Sequence, residues 1–226
     1  MWYYLANIYF KSRLPSALFE NITYLDNAVN YQKFYNPNKI ELNEIVKLIT
    51  IGSLVDKKNQ LFLVEVVSIL RNKKINVTLD ILGEGSNREL IVNKIESAGL
   101  QDYVKLHGNV ENVEEYLKRS TVYVHSATYE PFGLVLIEAM AAGLPVVALD
   151  GGGNKIFIYN EENGYLVKQH DPVIFAEKIM ALIETKDTFD KVSESAKKIA
   201  ENYNITSYAT VLLHIYNQAI KNGTIS

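Results

Sequence analysis

From about Val46 to Ile183 short apolar runs alternate with longer amphipathic stretches, and few chain folds accommodate that rhythm. VKLITIGSL reads as a buried strand. Asp56 then opens a predicted helix running through LFLVEVVSIL, with apolar residues at helical spacing. INVTLDILG is the second strand. Ser86 with Glu89 three residues on reads as a capping box, opening a helix through Ile91 and Ile95. VKLHG, TVYVHSA, PVVALD and GYLV continue the strand series. VEEYLKRS and the segment Gly133 to Ala142 are the helices between them. Strands interleaved with helices at this spacing imply right-handed crossovers and a parallel sheet. Continuous apolar runs such as PVVAL suit strands covered on both faces. The expected fold is α/β: a Rossmann-like parallel sheet of about six strands over residues 46–170, with helices on both faces.

The flanks do not join the rhythm. The C-terminal part is helical throughout: FAEKIMALIE, KVSESAKKIAENY and SYATVLLHIYNQAI. Near the other end, TYLDNAVNYQKFYNPNK is polar and rich in turn residues, which marks a connector. In MWYYLANIYFKSR, residues Trp2, Leu5, Ala6, Tyr9 and Arg13 share one helical face, expected to pack on protein rather than on a membrane surface. The expected division is a connector and domain remnant over 1–44, a nucleotide-binding domain over 45–200 and a terminal helix over 201–226.

Composition removes several function classes. A net charge of −3 argues against nucleic-acid binding, which needs a basic patch. The chain has no cysteine, which excludes disulfides, thiolate nucleophiles and zinc–thiolate sites. No run approaches the roughly 20 apolar residues that span a bilayer, and no signal-peptide pattern opens the sequence. The expected location is the cytoplasm, including its membrane face.

Ligands of an open parallel sheet bind beyond the carboxyl ends of the strands. The loop GSLVDKKNQ puts Lys57 and Lys58 at a helix start, where a bound anion would relieve their conflict with the helix dipole. In GEGSNREL, Gly83 and Gly85 would let backbone approach a ligand, although Asn87 and Arg88 stand where a dinucleotide fingerprint needs its third glycine. HGNVEN, with Gly108, Asn109 and Val110, is an ordinary turn. The strongest signal is YEPFGLVLIEAMAAGLPVV. Its helix is apolar nearly all round and should be buried. Glu138 stands in the middle, where a carboxylate needs either a buried cationic partner or a cleft. Phe132, Gly133 and Leu134 would offer free N–H groups suited to a diphosphate. Glu130 lies just before the helix, on the cleft side.

The stretch Glu130–Leu144, EPFGLVLIEAMAAGL, resembles the E-x7-E signature of retaining glycosyltransferases built from two facing Rossmann-like domains, the GT-B type. The similar family is family 4, which includes bacterial polysaccharide and lipid glycosyltransferases, sucrose synthases and mannosyltransferases. The resemblance extends from about Leu25 to the C-terminus, including LDNAVNYQKF, LDGGGNK and NGYLV. It implies the C-terminal, donor-binding half of such an enzyme. By position, Lys58 would contact the donor diphosphate, while Phe132, Gly133 and Leu134 would contact phosphate and sugar through their backbones. Glu138 would bind the ribose hydroxyls, Glu130 would face the donor sugar as the catalytic carboxylate, and Gly108, Asn109 and Val110 would lie near the base.

Two departures stand out. Ser53 occupies the place after the first-loop glycine where the family often has arginine, so Lys58 is expected to act with Arg88 or with backbone dipoles. The family's first domain, which binds the acceptor and supplies a histidine beside the donor sugar, is nearly absent. His107, His125, His170 and His214 all lie outside that region, and His125 reads as a core histidine. The expected partners are a nucleotide-sugar donor, a sugar, lipid-linked or polysaccharide acceptor, and a chain carrying the N-terminal domain or a second copy. Neither a cofactor nor a metal is expected. The alternatives are a donor-binding module without catalysis and an unrelated nucleotide-using α/β protein such as a dehydrogenase or epimerase. The missing third glycine counts against the latter.

Overall fold

A computed structural model describes residue 25 and residues 27–221. The expected helix over Met1–Arg13 lies outside the described residues. Elements follow in the order α1 (Tyr31–Phe34), β1 (Val46–Ile51), α2 (Gln60–Asn72), β2 (Val77–Leu82), α3 (Arg88–Ser97), β3 (Val104–Gly108), α4 (Val113–Lys118), β4 (Val122–His125), α5 (Leu134–Ala141), β5 (Val146–Leu149), β6 (Gly164–Val167), α6 (Pro172–Ile183), α7 (Lys186–Glu201) and α8 (Ile205–Lys221).

The six strands form one sheet in the order β3-β2-β1-β4-β5-β6, and every neighbouring pair is parallel. Continuous apolar runs made this outcome physically necessary: β4 and β5 are buried at every position, so each needs a helix on both sides. Helices α3, α2 and α6 pack in sequence on one face, where Phe62 and Phe175 meet edge-on at 5.4 Å. Helices α4, α1, α5 and α7 pack in sequence on the other. The chain leaves β1 for β2 on one side and reaches β4 on the other. Loops at the carboxyl ends of β1 and β4 therefore meet at the strand-order reversal, where sheets of this kind bind ligands, and Thr128 N–H ties them by donating to Lys57 O at 2.9 Å.

Two local expectations are corrected. The helix after β1 does not start at Asp56. Asp56–Lys58 form a single 3-10 turn, and Asn59 enters the left-handed region at φ 51° before α2 begins at Gln60. Asparagine tolerates that conformation, so the break costs little. The capping box at Ser86 does not form either. Asn87 N–H donates to Leu54 O at 2.9 Å and its side chain donates to Asp56 at 2.8 Å. These contacts hold the turn, and α3 starts at Arg88 with no side-chain cap.

The polar connector is more deeply involved than its composition suggests. Val29, Tyr31, Phe34 and Ile40 belong to the core. Lys197 of α7 donates to Asn36 O at 2.7 Å and to Asn38 O at 2.9 Å, bolting the connector to the domain. Val29 also exchanges backbone hydrogen bonds with Tyr203 and Ile205, where α7 gives way to α8. Among the described residues no helix is long and apolar enough to cross a membrane.

Candidate functional site

The cleft has two sides of different chemistry. On the side of β1, β2 and β3 the loops are zipped by backbone. Gly52 N–H donates to Leu82 O at 3.0 Å, Leu54 N–H to Glu84 O at 2.9 Å, and Gly83 N–H to Gly108 O at 2.7 Å. A Cβ on Gly83 would collide with Gly52 O, and one on Gly85 with Leu54 O. The two glycines of GEGSNREL thus serve loop-to-loop approach rather than the ligand approach expected of them. The zipped loops leave a cavity of about 260 Å³ lined by Ile51, Ser53, Leu82, Asn109, Val110 and Val113, among others. Asn109 and Val110 stand in its wall. Gly108 turns at φ 70°, and a Cβ there would sit 2.8 Å from Glu84 Oε1. Arg88 also lies on this side: its Nη1 pairs with Glu84 Oε1 at 2.8 Å, both side chains half exposed. Lys58 is in a different ion pair, with Glu130.

The other side is built around Glu130. Its N–H donates to Gly151 O and its own carbonyl accepts from Gly153 N–H, each at 2.7 Å. A Cβ on Gly153 would strike Glu130 O, and one on Gly151 would strike Ala127 O. The glycine run of LDGGGNK therefore lets this loop clamp the Glu130 backbone. Glu130 Oε2 accepts from Lys58 Nζ at 2.5 Å, with side-chain exposures of 10% and 18%. The same oxygen lies 3.4 Å from His125 Nε2. That contact is at ion-pair distance but lacks hydrogen-bond geometry. Burial pushes the Glu130 carboxyl up, but interactions with His125 and Lys58 outweigh it and hold the group at about 2. Burial lowers the basicity of His125, so its ring is neutral at pH 7. A nearly buried carboxylate is therefore fixed in its charged form, facing a lysine.

Helix α5 begins beside this cluster. Gly133 is its N-cap at φ 85°, in the left-handed region that glycine enters without a steric penalty. Leu136 N–H closes onto Gly133 O at 2.9 Å. The N–H groups before it, including that of Leu134, fall in the first turn, which has no intrahelical acceptors. Phe132 packs edge-on against Phe157 at 4.9 Å, fixing the loop. Glu138 projects from a helix whose residues Leu136, Ile137, Ala139, Met140 and Ala141 are buried, and is itself half-buried. It has no hydrogen bond or ion pair among the described residues. Burial raises its carboxyl, with Lys33 opposing weakly. The buried-partner reading of Glu138 therefore has no support. Both Glu130 and Glu138 act on the buried Tyr123 hydroxyl, which bonds Ile51 at the carboxyl end of β1.

Glu130, Glu138 and Lys58 thus lie about a strand-order reversal in a parallel sheet. The family model described as glycosyl transferases group 1 matches residues 34–202. The chain belongs to this family. Among its relatives is the UDP-N-acetylglucosamine–peptide N-acetylglucosaminyltransferase GtfA subunit of Streptococcus gordonii, 35% identical over 164 residues, covering 69% of this chain and 32% of that protein. The poly(glycerol-phosphate) alpha-glucosyltransferase of Bacillus subtilis is 30% identical over 180 residues, covering 79% of this chain and 27% of that one. A crystal structure of a Staphylococcus aureus TarM mutant in complex with fondaparinux, alpha-GlcNAc-glycerol and UDP superposes with a TM-score of 0.76 at 30% identity, over 87% of this chain and 39% of TarM. This group 1 chain thus spans about a third of the length of the curated relatives it matches.

His125 is buried, as its place at the end of an apolar strand implies, but nothing in TVYVHSA shows that its ring lies beside Glu130. Sequence reasoning gave Gly151 and Gly153 no structural task. Three consecutive glycines after a strand were the available signal.

Proposed function

We propose that this chain is the donor-binding half of a retaining glycosyltransferase of the family 4 kind, taking a nucleoside-diphosphate sugar and passing the sugar to an acceptor hydroxyl. The observation that carries the reading is the cluster where the β1 and β4 loops meet: ionised Glu130 on Lys58, beside the open first turn of α5 and Glu138, which has no hydrogen bond or ion pair among the described residues. The nucleobase occupies the cavity walled by Asn109 and Val110, next to the turn at Gly108. Glu138 accepts hydrogen bonds from the ribose hydroxyls. The diphosphate lies between Lys58 and the N–H groups of Phe132, Gly133 and Leu134, with Arg88 contributing from the base side.

In the reaction the bond between the anomeric carbon and the diphosphate oxygen breaks, and the acceptor oxygen bonds to that carbon from the same face. The acceptor proton leaves with the departing diphosphate or to solvent. Glu130 is ionised and close to the sugar, so it stabilises positive charge developing on the ring. Lys58 and the helix dipole stabilise negative charge on the leaving diphosphate, so no metal is needed for that task. The acceptor side belongs to a second domain, in the same chain, in a partner or in a second copy, as the greater length of the relatives and the word subunit in one relative's name suggest. The site of action is the cytoplasm or its membrane face. Calorimetry with UDP, GDP and ADP, each with and without EDTA, tests the reading. Micromolar binding of one nucleotide, insensitive to EDTA, is expected. No binding of any of them would refute it.

A further inference from the structure

Glu130 Oε2 is shared unequally. Lys58 Nζ holds it at 2.5 Å, while His125 Nε2 faces the same oxygen from 3.4 Å with no hydrogen bond. Buried imidazole nitrogens are nearly always hydrogen-bonded, so an orphan aimed at a carboxylate calls for explanation. The ring has little freedom to move. It stacks on Tyr123 with centroids 6.0 Å apart, and its residue is paired in β4 with Ala148 of β5. The Tyr123 hydroxyl is in turn fixed at 3.3 Å to both the N–H and the carbonyl of Ile51. The backbone of Lys58 is equally fixed, its carbonyl accepting from Ser126 Oγ at 2.7 Å and its N–H donating to Val55 O at 2.9 Å. What can move is the four-carbon stem of Lys58 and, slightly, the Glu130 side chain.

We propose that His125 is a positioning residue that takes over Glu130 when a donor diphosphate draws Lys58 away. The proposal rests on the donor-site reading above. In the free protein the lysine is masked by Glu130 and cannot serve a phosphate at full strength. A bound diphosphate offers Lys58 more negative charge than one carboxylate does, and the lysine swings to it. Glu130 would then be a nearly buried carboxylate without a partner, an expensive state. A slight shift of the Glu130 side chain closes the remaining gap, and His125 Nε2–H donates to Oε2. The charged and titratable groups facing His125 are Lys58, Glu130 and Tyr123. Because the ring is neutral, the exchange restores a hydrogen bond without adding a positive charge, and Glu130 keeps its full negative charge toward the sugar.

The test combines NMR with calorimetry, using UDP as the probe on the full chain. Nitrogen-15 spectra of the four histidines report the ring state of His125, assigned by loss of its signal in His125→Gln. On saturation with UDP the His125 Nε2 resonance should shift to its hydrogen-bonded position while the ring stays neutral. His125→Leu, which has no donor, should weaken UDP binding about tenfold, the effect expected of one hydrogen bond to a charged group. His125→Gln, a neutral donor of similar reach, should restore most of it. In a Glu130→Gln background Lys58 is free from the start, so adding His125→Leu should change UDP affinity little. If UDP binds with no His125 shift, or His125→Leu costs as much in the Glu130→Gln background as in the parent, the exchange is refuted while the donor site stands. If UDP, GDP and ADP all fail to bind the unmodified chain, the donor site and the exchange fall together.

Discussion

Helices α5 and α8 are both rich in apolar residues, yet they have opposite fates. In α5, Leu136, Ile137, Ala139, Met140 and Ala141 are completely buried. In α8, seventeen residues long, no side chain is buried. Val211, Leu213, Tyr216 and Ile220 are between 46% and 62% exposed. The difference is one of surroundings rather than sequence. Helix α5 lies between the sheet and helices α1 and α7, so most of its directions beyond the first turn meet protein. Helix α8 follows the last turn of the domain and runs past its edge. Apolar content tells how much surface wants covering; only the neighbours decide whether it is covered.

The largest expected effect comes from breaking the covered helix. Ile137→Ala removes methylenes from a site with no exposed surface, and large-to-small changes of this kind cost about 2–5 kcal/mol. Urea denaturation should show that loss as a lower midpoint with an unchanged slope. A loss within the range of surface substitutions would mean that α5 is far more loosely held than its burial implies.

Next in size is the one polar residue that α5 tolerates. Glu138→Ala should weaken nucleoside-diphosphate binding by about 1.5–3 kcal/mol, the worth of hydrogen bonds to a charged group. Its effect on stability should run the other way. Burial raises the Glu138 carboxyl above its ordinary 4.5. A raised acid contributes stability that is full below 4.5 and is lost as pH rises through the folded-state value. Glu138→Gln should therefore gain thermal stability relative to the parent at pH 7 and lose that advantage at pH 4. Parallel melting curves at the two pH values check the sign.

Glu130 sits at the base of the same helix and should behave inversely. Held at about 2 against an ordinary 4.5, it contributes stability that is present above 4.5 and is lost as pH falls towards 2. Glu130→Gln should flatten the acid limb of the stability profile between these values and leave a residual slope below 6.5. The residual slope arises because His125, buried and neutral in the fold, takes up a proton when unfolded. An acid limb identical in parent and variant would show that the Lys58 pair contributes nothing to folding.

Legibility in the sequence followed the range of the interactions. The strands were readable because each is a local run of branched and apolar residues, and β3 and β6 fall where VKLHG and GYLV stand. Glu130 and Glu138 were readable because an acid inside an apolar helix, and another just before it, conflict with burial. Contacts between distant segments were not readable. Tyr31, Phe34 and Ile40 fill the core from a polar connector because Lys197, more than 150 residues on, pins it down. Asn59 breaks a predicted helix through a backbone angle that no apolar periodicity reports. The pairing of Arg88 with Glu84 depends on how two loops zip together, and Gly83 and Gly85 signal that closeness without naming its partner.

The smallest expected effect is at α8, and it sharpens the comparison most. Leu213 is 62% exposed, so Leu213→Ala removes little buried surface. Surface substitutions of this kind change stability by no more than about 0.5 kcal/mol. Set against Ile137→Ala in the same denaturation experiment, the same loss of aliphatic carbon should differ several-fold in cost. A loss at Leu213 approaching that at Ile137 would mean that α8 is covered in solution. Repeating the measurement over a hundredfold range of protein concentration would then identify the cover. A second copy makes the cost rise with concentration, because association stabilises only the paired form. A cover from within the chain leaves it constant.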